Sequence, residues 1–503
     1  MKIHNPIIKG FYPDPSICKA NGKYYIACSS FQFFPGVPVF ESEDLVNWRQ
    51  IGHCLTRTNQ VALHQVPSSG GVFAPTLRYH NGNFYMVTNN NTYGKNFYLS
   101  TNDIYGEWSE PIFVDQMGID PSLLFDGDKV YFTSNGEDEN HKPCILQCEI
   151  DIATGEKLTE SIPIWGGSGG RYLESPHLYH IGDWYYLMVA EGGTEYGHMI
   201  TYARSREPFG PFEGYQGNPV LTNRNLGGNQ NVIQGIGHGD LIQDEKGDYF
   251  LVCLGFRQSG EWQPYHHLGR EVFLAPVYWR DGWFSAGENG VVNEWMDMNI
   301  YASGQSQNYD VELNEMDLSH PRWCYLRDYH KENYYYENGI LKLRGTAVTL
   351  EQADTPTFIG VRQSEFDTNL RVTVSGDAME AGITFYMDES EHYELALVQE
   401  NESAKVMLRI KVGDAQAIIQ TVPVTEKEVL LEVDSAAEEY IFYCYVDGVR
   451  KYLGKARTKY LSSEVAGGFT GVVMGMYAVD CDEKWAVFKN LIWKQNNIKN
   501  NYI

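Results

Sequence analysis

Residues 14–25 read Asp-Pro-Ser-Ile-Cys-Lys-Ala-Asn-Gly-Lys-Tyr-Tyr, and two short motifs in this stretch recur through the first 300 residues. One motif is a glycine, then one residue of any type, then one or more aromatic residues. Its copies are Gly22-Lys23-Tyr24-Tyr25, Gly82-Asn83-Phe84-Tyr85, Gly182-Asp183-Trp184-Tyr185-Tyr186 and Gly247-Asp248-Tyr249-Phe250, with a weaker copy at Gly127-Asp128-Lys129-Val130-Tyr131. Each copy follows a turn and opens an apolar run, which is typical of the second strand of a β-hairpin.

The other motif comes shortly before each glycine. Its copies are Asp14-Pro15-Ser16-Ile17, Ala74-Pro75-Thr76-Leu77, Asp120-Pro121-Ser122-Leu123, Glu174-Ser175-Pro176-His177-Leu178 and His238-Gly239-Asp240-Leu241. A third element, such as Asp44-Leu45-Val46-Asn47-Trp48, closes several of the units. Five ordered units of short strands predict a five-bladed β-propeller over residues 1–300. The alternative, a β-sandwich with coincidental turns, would not repeat a three-part pattern five times in the same order.

The texture of the chain changes after Trp295. Residues 301–335 are polar and irregular, and we interpret them as a linker. From residue 336 to residue 503, apolar and polar residues alternate in runs such as Ile340-Leu341-Lys342-Leu343-Arg344, separated by turns such as Asp447-Gly448. This pattern predicts an antiparallel, jelly-roll-like β-sandwich. The chain is therefore expected to be all-β, with a propeller followed by a sandwich.

Composition excludes several functional classes. Aromatic residues make up 14% of the 503 residues, and the formal net charge is −26. Nucleic acids and anionic membrane surfaces attract positive charge, so neither is an expected partner. No apolar run approaches the ~18–20 residues of a membrane span. The N-terminal residues lack the apolar segment of a secretory signal and the nine cysteines are scattered, so we expect a cytoplasmic location and reduced thiols.

Three carboxyl groups are expected to meet at one mouth of the propeller. The first strand of each blade lines the central axis, and Asp14, Asp120 and Glu174 lead three of these strands, with Ala74 and His238 leading the other two. Clustered carboxylates repel one another and their pKa values rise on burial, so the cluster costs stability unless it has a use. The alternative is that each acidic residue simply occupies a turn.

Glycoside hydrolysis is one reaction that uses a pair of carboxyl groups, usually beside aromatic walls. The candidate walls are Phe31 and Phe34 in the segment Ser30–Gly36, and Phe73 in the segment Gly70–Pro75. Sugar rings present C–H faces that pack on aromatic rings. The alternative is that these phenylalanines belong to the core of the blades.

Several segments resemble the family 43 glycoside hydrolases, in particular their two-domain β-xylosidases and α-L-arabinofuranosidases. The matching segments are Gly10-Phe11-Tyr12-Pro13-Asp14-Pro15-Ser16, Phe34-Pro35-Gly36, Asp120-Pro121-Ser122-Leu123, Glu174-Ser175-Pro176-His177, Ala190-Glu191-Gly192-Gly193-Thr194, Gly237-His238-Gly239 and Leu268-Gly269-Arg270-Glu271, with a looser match at Gly467-Gly468-Phe469-Thr470-Gly471. The resemblance covers residues 3–295 most closely.

The resemblance implies a role for each carboxyl group. Asp14 corresponds to the general base that activates water, and Glu174 to the general acid. Asp120 corresponds to the residue that orients the acid and tunes its pKa. Arg270 corresponds to an arginine that contacts the substrate, with a surface ion pair as the alternative.

Two further positions are implied less directly. Phe469 would reach the pocket from a loop of the sandwich, or else belong to the sandwich core. His238 matches a channel histidine that stands beside a water or a Ca²⁺ ion, so a structural calcium ion in the channel is considered alongside a plain hydrogen-bonded histidine. No organic cofactor is implied, because an acid, a base and water suffice.

These features predict an inverting exo-glycosidase that releases terminal β-D-xylose, α-L-arabinofuranose or both from short oligosaccharides. A principal α-L-arabinofuranosidase, a non-catalytic carbohydrate-binding propeller and a retaining enzyme of similar shape remain as alternatives. Relatives often have Trp-Ala-Pro-Asp where this chain has Phe73-Ala74-Pro75-Thr76, which leaves the identity of the terminal sugar open. The oligomeric state is also open, a homo-oligomer included.

Overall fold

Five four-stranded antiparallel sheets follow one another along the first part of the chain in the computed structural model, which describes residues 1–227, 232–260, 262–302, 318–400 and 403–495. We number them blades 1 to 5 in chain order. The strands of blade 1 are Ser16–Ala20, Lys23–Ala27, Gly36–Ser42 and Arg49–Leu55, and those of blade 2 are Thr76–His80, Asn83–Asn90, Lys95–Thr101 and Ile112–Val114.

The other three blades repeat this plan. Blade 3 consists of Ser122–Asp126, Lys129–Glu137, Pro143–Glu149 and Ile162–Trp165, blade 4 of Glu174–Ile181, Trp184–Glu191, Met199–Ser205 and Glu213–Gly214, and blade 5 of Ile233–Gln243, Tyr249–Arg257, Glu271–Arg280 and Trp283–Ala286. The first strand of each blade contacts the first strands of both neighbouring blades, so the five strands form a closed ring. The predicted five-bladed propeller is confirmed.

The recurrent glycine has a local cause in the first hairpin of a blade. In blade 1 the turn residues Asn21 and Gly22 have φ values of 52° and 77°, and in blade 2 Asn81 and Gly82 have values of 48° and 83°. Positive φ at both central residues is the geometry of a two-residue hairpin turn, for which Asn-Gly is the favoured sequence. The aromatic residues after each glycine then begin the second strand.

Short strands on either side of the blades hold the ring shut. Lys2–His4 pairs with Trp295–Asp297, which follows blade 5. The Asn5 side-chain amide donates to Leu274 O and its carbonyl accepts from Leu274 N, at 3.0 and 2.9 Å. The two ends of the propeller segment are thus joined by backbone pairing and by a buried side chain.

The second domain consists of two antiparallel sheets packed face to face. The seven-stranded sheet has the order Tyr334–Glu337, Ile340–Arg344, Trp485–Gln495, Thr368–Gly376, Glu428–Ser435, Glu439–Val446 and Val449–Arg457, and the six-stranded sheet has the order Thr357–Arg362, Val473–Val479, Glu380–Tyr386, Glu391–Glu400, Ser403–Val412 and Ala415–Val424. Residues along Thr368–Gly376 alternate between buried and partly exposed, as the predicted period of two requires. The predicted sandwich is confirmed.

Part of the segment predicted as a linker, 301–335, forms ordered structure between the domains, while residues 303–317 lie outside the described residues. Tyr325–Leu326 pairs with Phe33–Phe34 of the propeller. The buried Arg327 side chain donates to Val66 O at 2.6 Å and forms an ion pair with Glu389 of the sandwich. This segment therefore docks one domain against the other.

Helices contribute little to the described part of the chain. They are the α-helix Ser463–Ala466 and the 3₁₀ turns Lys331–Asn333 and Thr458–Leu461. Within the described ranges, no helix is both long and apolar enough to cross a membrane. All nine cysteines are free, and only Cys481 is exposed.

Candidate active site

The residues that lead the inner strands have unusual backbone conformations. Asp14, Asp120, Ser175 and His238 have φ values of 57°, 54°, 54° and 46°. The strand that begins at Glu174 also has a register shift between Glu174 and His177. Non-glycine residues at positive φ cost ~1–3 kcal/mol each and cluster at functional sites. Several of the strained positions in the described ranges therefore lie at the end of the ring where the carboxyl groups meet.

Asp14 is a buried carboxylate that remains charged. It is 6% exposed, and Oδ2 accepts a hydrogen bond of 2.5 Å from Ser29 Oγ. Oδ1 lies 3.0 Å from Arg270 Nη1 and 3.7 Å from His238 Nδ1. Burial disfavours the charged form, but Arg270, His238 and the Ser29 hydrogen bond outweigh it and lower the pKa of Asp14. The side chain is therefore an anion at neutral pH, as a general base must be.

Glu174 has the opposite ionisation. Burial, followed by the negative charge of Asp14, raises the pKa of Glu174 to about 7, while Arg270 acts against the increase. A carboxylic acid with a pKa near neutrality retains a proton that it can donate. Asp14 is therefore charged at neutral pH, whereas Glu174 titrates near neutrality and is available in its protonated form.

Asp120 lies next to the backbone of the acid. Its Oδ2 accepts a hydrogen bond of 3.0 Å from the amide of Ser175, and the residue is 8% exposed. Burial, then Glu174 and Asp14, raise the pKa of Asp120 well above its usual range. The repulsion between Asp120 and Glu174 is mutual, so each favours the protonated form of the other. Asp120 therefore fixes the backbone next to Glu174 through the Ser175 amide. Its carboxylate form also favours the protonated form of Glu174.

Arg270 joins the base to the opposite wall of the site. Its Nη1 donates to Asp14 Oδ1 and also to Thr194 Oγ1, at 2.8 Å. The residue is 5% exposed, and no described residue accepts a hydrogen bond from its Nη2. One buried donor of the guanidinium is therefore available to a ligand. The alternative of a surface ion pair is wrong for Arg270.

Three phenylalanines form an aromatic wall beside this guanidinium. The ring centroid of Phe31 lies 5.3 Å from that of Phe73 and 6.0 Å from that of Phe469, which also lies 6.0 Å from Phe73. The Arg270 Cζ atom lies 5.7 Å from the Phe31 ring and 5.4 Å from the Phe469 ring. Phe31 and Phe73 are 2% and 9% exposed and belong to a buried cluster, as the core alternative expected, while Phe469 is the exposed ring of this group.

Phe469 reaches this wall from the second domain. Its amide donates to Ser69 Oγ of the propeller at 2.8 Å, and its ring is 37% exposed. The sandwich therefore supplies one wall of the site, and the alternative of sandwich core is wrong for this residue.

Phe34 does not belong to this wall. Its strand pairs with Tyr325, and its ring stacks on Tyr329 at 6.2 Å within the core between the domains. Successive strand residues point to opposite faces, and this residue faces the domain junction. The prediction that Phe34 lines the pocket is corrected accordingly.

His238 has few groups around it that could hold a metal ion. Burial lowers its pKa, and the adjacent His198, whose pKa burial lowers to about 3, is neutral as well. Among the described residues, no group of three or more His, Cys, Asp or Glu could hold a metal ion. Calcium prefers six to eight oxygen ligands, and the two carboxylates that act on His238, Asp14 and Asp240, are already paired with Arg270 and Arg78.

A cation of the protein itself lies further down the axis. The Arg78 guanidinium lies 2.7 Å from Asp240 Oδ2 and 2.9 Å from His177 Nδ1. Asp240 also accepts a hydrogen bond of 2.6 Å from Ser16 Oγ. The structurally described part of the channel thus offers a paired arginine and no cluster of three ligating side chains, and the calcium ion that the resemblance implied stays a prediction.

Two contributors to the site had no role assigned from the sequence. Thr194 bonds to Arg270, and Glu191, fully buried, accepts hydrogen bonds from Gly170 N at 2.8 Å and Thr201 Oγ1 at 2.7 Å. Glu191 thus secures the segment that leads into Glu174. Both lie in the segment Ala190–Thr194, whose similarity to the family was the available signal.

Comparison with known proteins agrees with this geometry. Residues 3–284 match the model for glycosyl hydrolases family 43, and residues 314–494 match that for the beta xylosidase C-terminal concanavalin A-like domain. A Bacteroides ovatus protein named non-reducing end alpha-L-arabinofuranosidase is 38% identical, over 94% of this chain and 90% of its own length. A Butyrivibrio fibrisolvens protein named xylosidase/arabinosidase is 34% identical, over 94% of this chain and 95% of its own length.

A solved structure shares the whole architecture. The structure described as Bacteroides ovatus xyloglucan PUL GH43B superposes with a TM-score of 0.90 at 36% identity, covering 98% of this chain and 99% of its own. Both domains are therefore matched in one continuous alignment. With its three strand-leading carboxyl groups in a five-bladed propeller, the chain belongs to glycosyl hydrolase family 43.

Proposed function

We propose that the protein is an exo-acting glycosidase that releases terminal β-D-xylosyl or α-L-arabinofuranosyl units from short xylan-derived oligosaccharides. The observation that carries the proposal is the cluster of Asp14, Asp120 and Glu174 at one end of the ring, where Arg270 lies 3.0 Å from Asp14 and the pKa of Asp14 is lowered while that of Glu174 is raised to about 7. Family 43 enzymes are inverting hydrolases. An inverting hydrolase needs one charged and one protonated carboxyl group at neutral pH. A non-catalytic propeller would need neither, and family membership sets that alternative aside.

The reaction follows from these two states. The Asp14 carboxylate accepts a proton from a water molecule, whose oxygen attacks the anomeric carbon. Glu174 donates its proton to the glycosidic oxygen as the bond from that oxygen to the anomeric carbon breaks. The products are a sugar of inverted configuration and a shortened oligosaccharide. Proton exchange with solvent then returns Asp14 to the anion and Glu174 to the acid.

The wall formed by Arg270 and the phenylalanines accounts for binding of the terminal sugar. The free Nη2 of Arg270 is a buried, charged donor suited to a sugar hydroxyl. Phe469, which is 37% exposed, presents apolar surface to the C–H face of the sugar ring, and the buried Phe31 and Phe73 pack behind it. Because Phe469 comes from the sandwich, the second domain narrows one side of the site. A site closed on one side favours exo action at a chain end.

The names of the relatives support both pentoses. One is named an alpha-L-arabinofuranosidase and another a xylosidase/arabinosidase. A xylopyranose and an arabinofuranose can present similar hydroxyls to one pocket. We therefore propose activity on both, with a principal arabinofuranosidase as the second candidate because of the name of the Bacteroides ovatus relative.

Product analysis tests the proposal. Purified protein is incubated with xylobiose and with an arabinosyl oligosaccharide, and the first-formed anomer is identified by NMR. We expect free pentose of inverted configuration, with the ratio of kcat/KM values separating the two candidates. The Asp14→Asn variant serves as the inactive control. Retained configuration, or release of internal fragments in place of terminal pentose, would contradict the mechanism or the exo assignment respectively.

A further inference from the structure

An exposed aromatic ring in a strained conformation lies two residues before the general acid. Tyr172 is 57% exposed and has a φ of 53°. A bulky residue at positive φ is a genuine outlier that persists only when its surroundings impose it. Because more than half of the ring faces solvent, burial of the side chain does not account for the strain. The ring is therefore not part of the core and is accessible to a ligand.

The backbone just before the ring is fixed, and a guanidinium lies over one face of the ring. The backbone of Arg171 accepts a hydrogen bond of 2.7 Å from Gly192 N, and its Nε donates to Gly192 O at 3.0 Å. The Arg171 guanidinium forms an ion pair with Glu195, and its Cζ lies 5.2 Å from the centroid of the Tyr172 ring. A pre-organised ring loses little entropy when a ligand packs on it.

The absence of a side chain at Gly193 leaves room for the ring. A Cβ atom at Gly193 would lie 3.0 Å from Tyr172 Cδ2, closer than ordinary van der Waals contact. The next residue, Thr194, is hydrogen-bonded to Arg270. Tyr172 thus packs against the loop that also supports the sugar-binding guanidinium of Arg270. It also lies two residues before Glu174 on the same segment.

The chemistry determines which sugar can reach this ring. The terminal sugar is assigned to the face of Phe469 beside Arg270 and Asp14, with Phe31 and Phe73 packed behind that ring. Glu174 must face the glycosidic oxygen, so the leaving sugar begins on the Glu174 side of that oxygen. Tyr172 is the exposed aromatic residue that precedes Glu174 on the same segment.

We propose that Tyr172 is a specificity-determining residue whose ring supports the sugar ring of the leaving group. The inference rests on the proposed glycosidase function and extends it to the aglycone. It predicts that the enzyme prefers oligosaccharides to substrates whose leaving group has no ring. The contact is apolar, between the C–H face of the sugar and the aromatic face.

Kinetics on two leaving groups test the inference. The parent enzyme, Tyr172→Ala and Tyr172→Phe are assayed on the preferred oligosaccharide and on the fluoride of the same pentose, whose leaving group is a single atom. For Tyr172→Ala we expect kcat/KM on the oligosaccharide to fall about tenfold, the effect of ~1.4 kcal/mol. Activity on the fluoride should change less than about twofold, and Tyr172→Phe should resemble the parent, because the ring is retained.

The matched control is Tyr278→Ala, since Tyr278 is 53% exposed but lies on an outer part of blade 5. It should leave both activities unchanged. A residue that only supports Glu174 would also spare the fluoride, which needs little protonation, but its loss would shift the basic limb of the pH profile on the oligosaccharide. A shifted limb in Tyr172→Ala, equal losses on the two substrates, or no loss on either would overturn the inference. A parent enzyme that hydrolyses neither substrate would refute the proposed function itself, a result distinct from these.

Discussion

Replacing Arg270 by Met removes the one cation of the carboxyl cluster and should move the entire pH profile. The guanidinium lies 3.0 Å from Asp14 Oδ1 and lowers the pKa of both Asp14 and Glu174. An opposite charge at this range lowers the pKa of an aspartate by ~1–3 units. The acidic limb of kcat/KM, set by Asp14, should therefore rise by about one to three pH units.

The basic limb, set by Glu174, should also move upward. In the parent the pKa of Glu174 is raised to about 7, and loss of Arg270 removes an influence that lowers it. A shift of both limbs to higher pH is expected because the same cation, Arg270, lowers the pKa of both Asp14 and Glu174. In addition kcat/KM at its optimum should fall about 10- to 100-fold, because a charge-assisted hydrogen bond to the sugar contributes ~1.5–3 kcal/mol.

The assay is the pH dependence of kcat/KM on an aryl glycoside for parent, Arg270→Met, Arg270→Lys and Arg49→Met. The lysine variant retains the charge and should keep the limbs closer to their positions, while losing activity through the missing second donor. Arg49 pairs with Glu41 at 2.8 Å, but its side chain is 73% exposed, so its variant should match the parent. An unmoved acidic limb in Arg270→Met would refute the argument that this arginine maintains the charge of Asp14.

Other variants address the remaining roles. Asp14→Asn should abolish turnover on every substrate, because an amide cannot accept a proton from water; measurable turnover of aryl glycosides would exclude it as the base. Glu174→Gln should reduce hydrolysis of oligosaccharides far more than that of activated aryl glycosides, which need less protonation, and equal losses would remove it from the acid role. Asp120→Asn removes a carboxyl group whose ionisation competes with that of Glu174, so the basic limb should move to lower pH, and a limb that stays in place would show no electrostatic role. Arg327→Met should destabilise the protein by ~3–5 kcal/mol in denaturant unfolding, since it leaves Glu389 without its buried partner; an unchanged midpoint would contradict this.

The propeller could be predicted from the sequence because each hairpin of a blade is specified by residues that are close together in the chain. A two-residue turn with positive φ selects Asn-Gly, as at Asn21-Gly22, and the aromatic strand follows directly. Five copies of this hairpin pattern, in the same order, then predict a five-bladed propeller. The strand-leading positions of Asp14, Asp120 and Glu174 could be identified in the same way, since the first strand of a blade lines the axis. The cytoplasmic location and a homo-oligomeric state stay predictions.

The partners of these residues were decided by the tertiary structure alone. Arg270 lies 256 positions from Asp14 and Ser69 lies 400 positions from Phe469, and no local pattern joins such residues. Phe34 was assigned to the pocket because it is near Phe31 in sequence, yet the strand alternates and Tyr329 covers its ring. Which carboxyl group is charged depends on burial and on the distance to Arg270 in the folded chain. The sequence therefore determined where the carboxyl groups stand on the strands, and only folding determined their ionisation, because a pKa responds to charges and solvent exclusion in space.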